Sequence, residues 1–323
     1  MGFAFPFLLL NAAVIRMEDN GFLAKEAIAP PMIANEGYGY SVRLMREGRV
    51  EDGEMDDYLV GVLLAEMPAN FCEEALKAQA VAARTYARKR FVIGGKHENG
   101  SVCLDSSCCQ AYISPEEYIR QGGTQEAVDR IISAVRSTSG EVLVYEDELI
   151  EATYFSCSGG STEAAVEVWG REYPYLQSVP SPGEENALHF EETFRFTPEE
   201  FAARLALSPD GEPSDWITLT AYSVAGTVRK MVICGVSFSG QKLRQLLALP
   251  SAAFEICIED SEIVISTRGH GHRVGMSQYG AEAMAQSGST YQQILAHYYP
   301  GSTLQQLEPD RLPAALRQKK LPV

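Results

Sequence analysis

Apolar positions along the chain change their spacing repeatedly, and each change marks an element. Tyr38 to Leu44 alternates as a short strand, and Arg46 to Glu54 reads as a charged turn region containing Gly48 and Gly53. From Asp56, a candidate cap, Leu59, Val62 and Leu63 repeat on one helical face until Pro68 stops the helix. A second, alanine-rich helix runs from Glu73 to Arg90. Glu73 and Glu74 open it and Arg84, Arg88, Lys89 and Arg90 lie toward its end, as the helix dipole favours. Residues 94–115 read as loop, and Thr124 to Val135 as an amphipathic helix. Glu141–Tyr145 and Leu149–Ser156 alternate around Glu146-Asp147-Glu148 and predict a hairpin. A Gly/Ser/Thr-rich loop follows, and Pro174, Pro180 and Pro182 mark irregular structure.

Thr197-Pro198-Glu199-Glu200 is a capping box with proline at the first helical position, opening a helix to Leu205. Residues 216–267 alternate short strands with a helix near Gln241–Leu249. Gly275–Ala285 and Tyr291–Tyr299 read as helices, the second ended by Pro300-Gly301. This order predicts an α+β fold. One domain occupies residues 38–307, with a helical segment, β-hairpins and an inserted α/β subdomain at about 187–267. A leader and linker precede it over 1–37, and a loose polar tail follows over 308–323. Phe3 to Ile15 is apolar but for Asn11, too short for a span of roughly 20 residues and without basic residues before it. It reads as the remnant of a membrane anchor or the end of a signal segment, against a disordered or partly buried leader.

Composition narrows the function. With 46% hydrophobic and 22% charged residues the 323-residue chain is neither disordered throughout nor of low complexity. A net charge of −16, with no basic stripe, argues against nucleic acid as a partner. The seven cysteines, an odd number at irregular spacing, do not describe a complete disulfide framework.

Four segments hold the polar chemistry. Glu66 lies three residues beyond Leu63 and seven beyond Leu59, in line with the apolar stripe of its helix. Desolvation there raises a carboxyl pKa and suits a general acid, although a Glu at that position also snorkels to solvent or pairs with an Arg. His97, Cys103, Cys108 and Cys109 crowd one loop. They fit a tetrahedral structural zinc, or a disulfide from Cys103 with a leftover thiol, and Asp105 is a spare ligand. Gly269-His270-Gly271-His272-Arg273-Val274-Gly275-Met276-Ser277-Gln278-Tyr279-Gly280 offers hydrogen-bonding groups suited to a sugar. Its His-Gly-His invites a metal reading, but no carboxylate stands nearby in the sequence. Phe155-Ser156-Cys157-Ser158-Gly159-Gly160 is a polar loop that lacks the nucleophile-elbow pattern, and Cys157 reads as structural.

Together these segments resemble the stage II sporulation protein D family. The resemblance rests on Ala65-Glu66-Met67-Pro68, Glu74 to Ala87, Ser137-Thr138-Ser139-Gly140, Phe155-Ser156 with Ser158-Gly159-Gly160, Val168-Trp169-Gly170, Tyr175-Leu176, Gly275 to Ala281 and His297 to Gly301. It covers residues 38–307 in order. The resemblance implies a lytic transglycosylase that cuts peptidoglycan glycan strands during engulfment, after an amidase has removed their stem peptides. The catalytic acid would be Glu66, and the substrate contacts Lys77, Arg84, Ser156, His272, Ser277, Gln278 and Tyr279. The protein would be exported or membrane-anchored, facing the cell wall between mother cell and forespore. Its partners would be glycan strands, the sporulation amidase and an associated membrane protein. Some members hold zinc on such a loop with two His and two Cys. Here the set would be His97, Cys103, Cys108 and Cys109, with Cys108 where such a member has His. The chain also departs from the family pattern at His270, where an aromatic residue is common, and at Arg273, where glycine is common. The competing readings are a non-catalytic wall-binding scaffold or amidase enhancer and, more weakly, a zinc hydrolase.

Overall fold

The computed structural model describes residues 38–46, 49–97, 100–106 and 108–311. The leader expected over 1–37 and the tail beyond 311 lie outside the described residues. The architecture is a mixed α+β one, in which helices bury a main core and several small sheets frame it.

β1 (Tyr38–Gly39) leads into β2 (Ser41–Arg46), which pairs antiparallel with β3 (Arg49–Glu54). Residues read as a charged turn are thus a strand. Val50 is the one large apolar residue of β3, so a strand facing water leaves no alternation to see. α1 (Met55–Glu66) is capped not by Asp56 but by Glu54, whose carboxylate accepts from the Asp57 N–H at 3.0 Å. Tyr58 to Leu64 are all buried, so α1 is a core helix surrounded on most sides. α2 (Glu73–Ile93) packs against it, and the buried alanines 75, 78, 80, 82, 83 and 87 let neighbouring elements come close.

β4 (Val102–Cys103) adds a parallel edge to β2, and the loop after it leads to α3 (Pro115–Arg120). The sequence reading missed α3, although Ser114 caps it and Pro115 starts it. α4 (Gln125–Ser137) is capped by Thr124. β5 (Glu141–Tyr145) pairs with β6 (Glu148–Leu149), but the expected second arm of that hairpin ends there. The chain turns off instead into β7 (Tyr154–Phe155), which belongs to a different sheet, and then α5 (Ala165–Trp169).

A second hydrophobic cluster follows. It is built from β8 (Glu191–Phe196), α6 (Pro198–Leu205), a 3-10 turn at Pro213–Asp215, β9 (Ile217–Tyr222), β10 (Val228–Ile233), β11 (Val236–Phe238), α7 (Gly240–Leu247), β12 (Phe254–Glu259) and β13 (Glu262–Arg268). Its two sheets have the orders β11-β10-β9 and β12-β13-β8, and α6 and α7 pack together against them around Phe201, Trp216, Leu243 and Ile265. The Thr197 capping box forms as the sequence predicts.

The chain then returns to the main core through β14 (Met276–Ser277), α8 (Gln278–Gln286), α9 (Tyr291–Tyr298) and β15 (Thr303–Gln306), the last pairing with β5. α8 starts later than its sequence suggests. Gly275 has φ +85°, a Cβ there would lie 2.1 Å from the Thr153 carbonyl oxygen, and Met276–Ser277 pair in parallel with Tyr154–Phe155. β16 (Asp310–Arg311) pairs with β1, so the stretch expected to be loose contributes a strand.

Candidate functional site

Glu66 is the last residue of α1, half-buried between the core and the surface. Its Oε1 accepts from the Ala111 N–H at 3.0 Å. Burial raises its pKa, and the Ala111 N–H and the Gln278 carboxamide oppose that by stabilising the ionised form. Gln278 is buried, and apart from its contact with Glu66 its Nε2 has no hydrogen-bond partner.

The segment that delivers Ala111 is tied down on both sides. The Gln110 Nε2 donates to the Tyr154 hydroxyl at 2.7 Å, and the Tyr58 hydroxyl donates to the Gln110 Oε1 at 2.9 Å. The Ile113 N–H reaches the Gly61 carbonyl at 3.1 Å, and Tyr112 lies over Gly61, where a Cβ would fall 2.2 Å from its ring. Gln110, the Ala111 N–H and Tyr154 were not singled out in the sequence. The only signal was their place directly after Cys109 and before Phe155.

The parallel β7–β14 pair brings the two polar loops together. Tyr279 donates its N–H to the Ser156 carbonyl at 3.0 Å, and the Ser277 hydroxyl reaches the same oxygen at 3.4 Å. His272 packs between Phe155 and Trp169, each ring centroid 5.5 Å away. Desolvation, helped by Arg244, pushes its pKa down to about 4, so it is neutral near pH 7. Glu184 is the hidden organiser of this region, and it too escaped the sequence reading. Its buried carboxylate accepts from the Ser158 N–H at 2.7 Å, the Ser158 hydroxyl at 3.0 Å and the Cys157 thiol at 3.1 Å. Burial raises the Cys157 thiol and keeps it protonated, in keeping with a structural role. Arg273 adopts φ +64°, the left-handed conformation that glycine takes most easily. From there its buried guanidinium bonds the carbonyls of Ser158 at 2.7 Å, Ser161 at 2.9 Å and Ala225 at 3.0 Å.

The loop before Ala111 gathers one donor atom each from His97, Cys103, Cys108 and Cys109, all within 4.8 Å of one another. The Cys108 Sγ stands 3.3 Å from the His97 Nε2 and 4.0 Å from the Cys109 Sγ. One imidazole and three thiols, all half-buried, suit a closed tetrahedral zinc site.

Comparison with known proteins places the chain in a family. The family model described as stage II sporulation protein matches residues 45–145, which include Glu66 and the cysteine loop. The chain is 39% identical to stage II sporulation protein D of Bacillus subtilis (strain 168), over 80% of this chain and 76% of that protein. It is 38% identical to stage II sporulation protein D of Bacillus amyloliquefaciens, over 78% of this chain and 74% of that one. The chain belongs to the stage II sporulation protein D family. It is also 30% identical to a protein named amidase enhancer from Bacillus subtilis (strain 168), over 76% of this chain and 40% of that protein.

Not every contact expected of a sporulation protein D lies at the site. Glu66 meets Gln278, Tyr279 bonds Ser156 through the backbone, and His272 packs on Phe155, the residue before Ser156. Arg84 does not join them and has no exposed side-chain surface. It donates to Asp56 at 3.0 Å and to the Val135 and Glu141 carbonyls at 3.1 and 3.3 Å. The Ser137-Thr138-Ser139-Gly140 segment wraps this ion pair, so the Arg84 side chain is bound into the core. Ser277 is likewise fully buried and serves as the cap of α8, with its Oγ accepting from the Gly280 N–H at 3.3 Å. Lys77 pairs with Glu73 at 2.7 Å and Glu74 at 2.9 Å on the first turns of α2. Among the described residues no helix is long and apolar enough to cross a membrane.

Proposed function

We propose that this sporulation protein is a lytic transglycosylase that cleaves MurNAc–GlcNAc linkages in denuded peptidoglycan strands. The observation that carries the reading is Glu66, a half-buried carboxyl with a raised pKa that, among the described residues, is hydrogen-bonded to no carboxylate. A hydrolase of the ordinary kind needs two carboxyl groups, one as acid and one as nucleophile or base. A single acid suffices when the substrate brings its own nucleophile. Protonated Glu66 gives its proton to the departing glycosidic oxygen as the C1–O bond breaks. The C6 hydroxyl oxygen of the same MurNAc then bonds to C1, and its proton goes to the Glu66 carboxylate. The product is a 1,6-anhydro-MurNAc end, and the enzyme returns to its starting protonation state. The Ala111 N–H fixes the carboxyl and Gln278 stands beside it, with Tyr279 next in the chain to meet the sugar.

In this reading His97, Cys103, Cys108 and Cys109 hold a structural zinc that clamps the loop ahead of Ala111 and supplies no chemistry to the cleavage. The protein works exported or anchored at the wall between mother cell and forespore, with an amidase and its membrane partner supplying stripped strands. The relative named amidase enhancer supports a second reading, a wall-binding scaffold that activates the amidase without cutting. Glu66→Gln separates the two. Loss of glycan cleavage with folding and glycan binding intact supports the enzyme, and a variant that retains full function supports the scaffold.

A further inference from the structure

The His-Gly-His segment has no carboxylate near it in the sequence, but the fold brings one. β8 and β13 pair so that Glu192 lies opposite Thr267 and Glu191 opposite Arg268, and the Gly269 N–H reaches the Phe190 carbonyl at 2.9 Å. The start of β8 therefore lies beside His270. The His189 Nδ1 is 2.9 Å from the Glu192 Oε1, and the His189 and His270 rings are 4.6 Å apart between centroids. One donor atom from each of His189, Glu192 and His270 falls within 4.8 Å of the others. We propose that these three side chains form a second metal site, separate from the cysteine loop, that takes a zinc ion and leaves the rest of its coordination sphere to water.

Two further observations support this. The His270 Nδ1 is buried and meets no hydrogen-bond partner among the described residues, a costly state for a polar atom that a bound cation or its water would relieve. The His270 backbone is also held in place, because it exchanges both hydrogen bonds with Cys157, at 3.2 and 2.8 Å. Two imidazoles and a carboxylate are the donor set of an open zinc site and are too nitrogen-rich for calcium or magnesium. Zinc–ligand bonds of about 2.0–2.2 Å set donor atoms about 3.3 Å apart, so small rotations of half-exposed side chains close the site. Glu192 supplies the negative charge, set against the Arg244 guanidinium that also faces His270. A bound ion would tie the entry of the second hydrophobic cluster to the loop that carries His272 and leads into α8. The site does not depend on the glycan-cleaving reading.

The test uses the full chain, reduced, stripped with chelator and dialysed against a modest excess of zinc, with metal counted by mass spectrometry. The wild-type chain is expected to hold one zinc ion more than a His189→Ala, His270→Ala double variant. With cobalt in place of zinc, the thiolate-to-metal bands of the cysteine loop should be the same in both. Equal metal content in wild type and variant overturns the proposal. Glu192→Gln keeps both imidazoles and guards against misfolding of the double variant. It should weaken binding of that ion by at least the roughly 10–100-fold that loss of an outer-shell partner costs, and an unchanged affinity overturns the proposal as well.

Discussion

Glu66 was legible as a candidate because a carboxyl interrupts an apolar stripe just where Pro68 ends its helix. The residues that tune it were not, because Ala111 and Gln278 reach it only when loops 45 and 212 residues away close on α1. Its raised pKa has consequences for both activity and stability. Cleavage needs the protonated acid, so the rate should fall as pH rises through the Glu66 pKa, and Glu66→Gln should lower turnover by roughly 10²–10⁴-fold. Folding should share the preference for the protonated form. A carboxyl whose pKa is higher folded than unfolded costs nothing at a pH below its unfolded value of about 4.3 and costs most once ionised in the native state. Glu66→Gln should therefore match wild type in acid and become progressively more stable than wild type as pH rises. Thermal unfolding across that range measures it. Arg84 is the counterexample, a basic residue that resemblance assigned to substrate and packing assigned to the core. Arg84→Met should lower stability by about 3–5 kcal/mol, since it strands the partly buried Asp56. Denaturant titration reads this directly, and an unchanged midpoint with weakened glycan binding would return Arg84 to the substrate.

At the scale of elements, capping chemistry made the helices readable. That held only for Thr197, whose capping box forms as expected; the caps at Ser114, Thr124 and Thr290 went unread and the one expected at Asp56 falls to Glu54. Strands were harder to read. β3 lacked apolar alternation, and the arm expected after β6 broke because Tyr154 and Phe155 find a parallel partner more than a hundred residues later. The element that matters most to the candidate site is the loop from His97 to Ile113, which runs from the cysteine cluster to the carbonyl of Gly61. Gly61→Ala would push a methyl into the Tyr112 ring and displace the segment carrying the Ala111 N–H. It should cost about 1–3 kcal/mol of stability and also lower turnover, as paired unfolding and activity assays would show. Stripping zinc from the cysteine loop should lower the melting temperature, and Cys103→Ser should act mainly through stability. Elemental analysis of protein purified without chelator, set beside a peptide map for a Cys103 disulfide, decides between metal and disulfide.

At the scale of the molecule, motif order along the chain was enough to place it in its family and fold class. Ser158-Gly159-Gly160 and Arg273 come from segments far apart, yet they lock together around Glu184 and the Arg273 guanidinium. The second hydrophobic cluster has its own sheets and helices, and the pairing of its β8 and β13 brings His189 and Glu192 beside His270. Such a junction has no signature in sequence spacing, since its partners are set by strand register between β8 and β13. The central claim is that one carboxyl cuts a glycan whose own hydroxyl closes the ring. Mass spectrometry of the products from purified denuded glycan tests it most directly: the account predicts ends carrying 1,6-anhydro-MurNAc, and reducing MurNAc ends, heavier by one water, would contradict it.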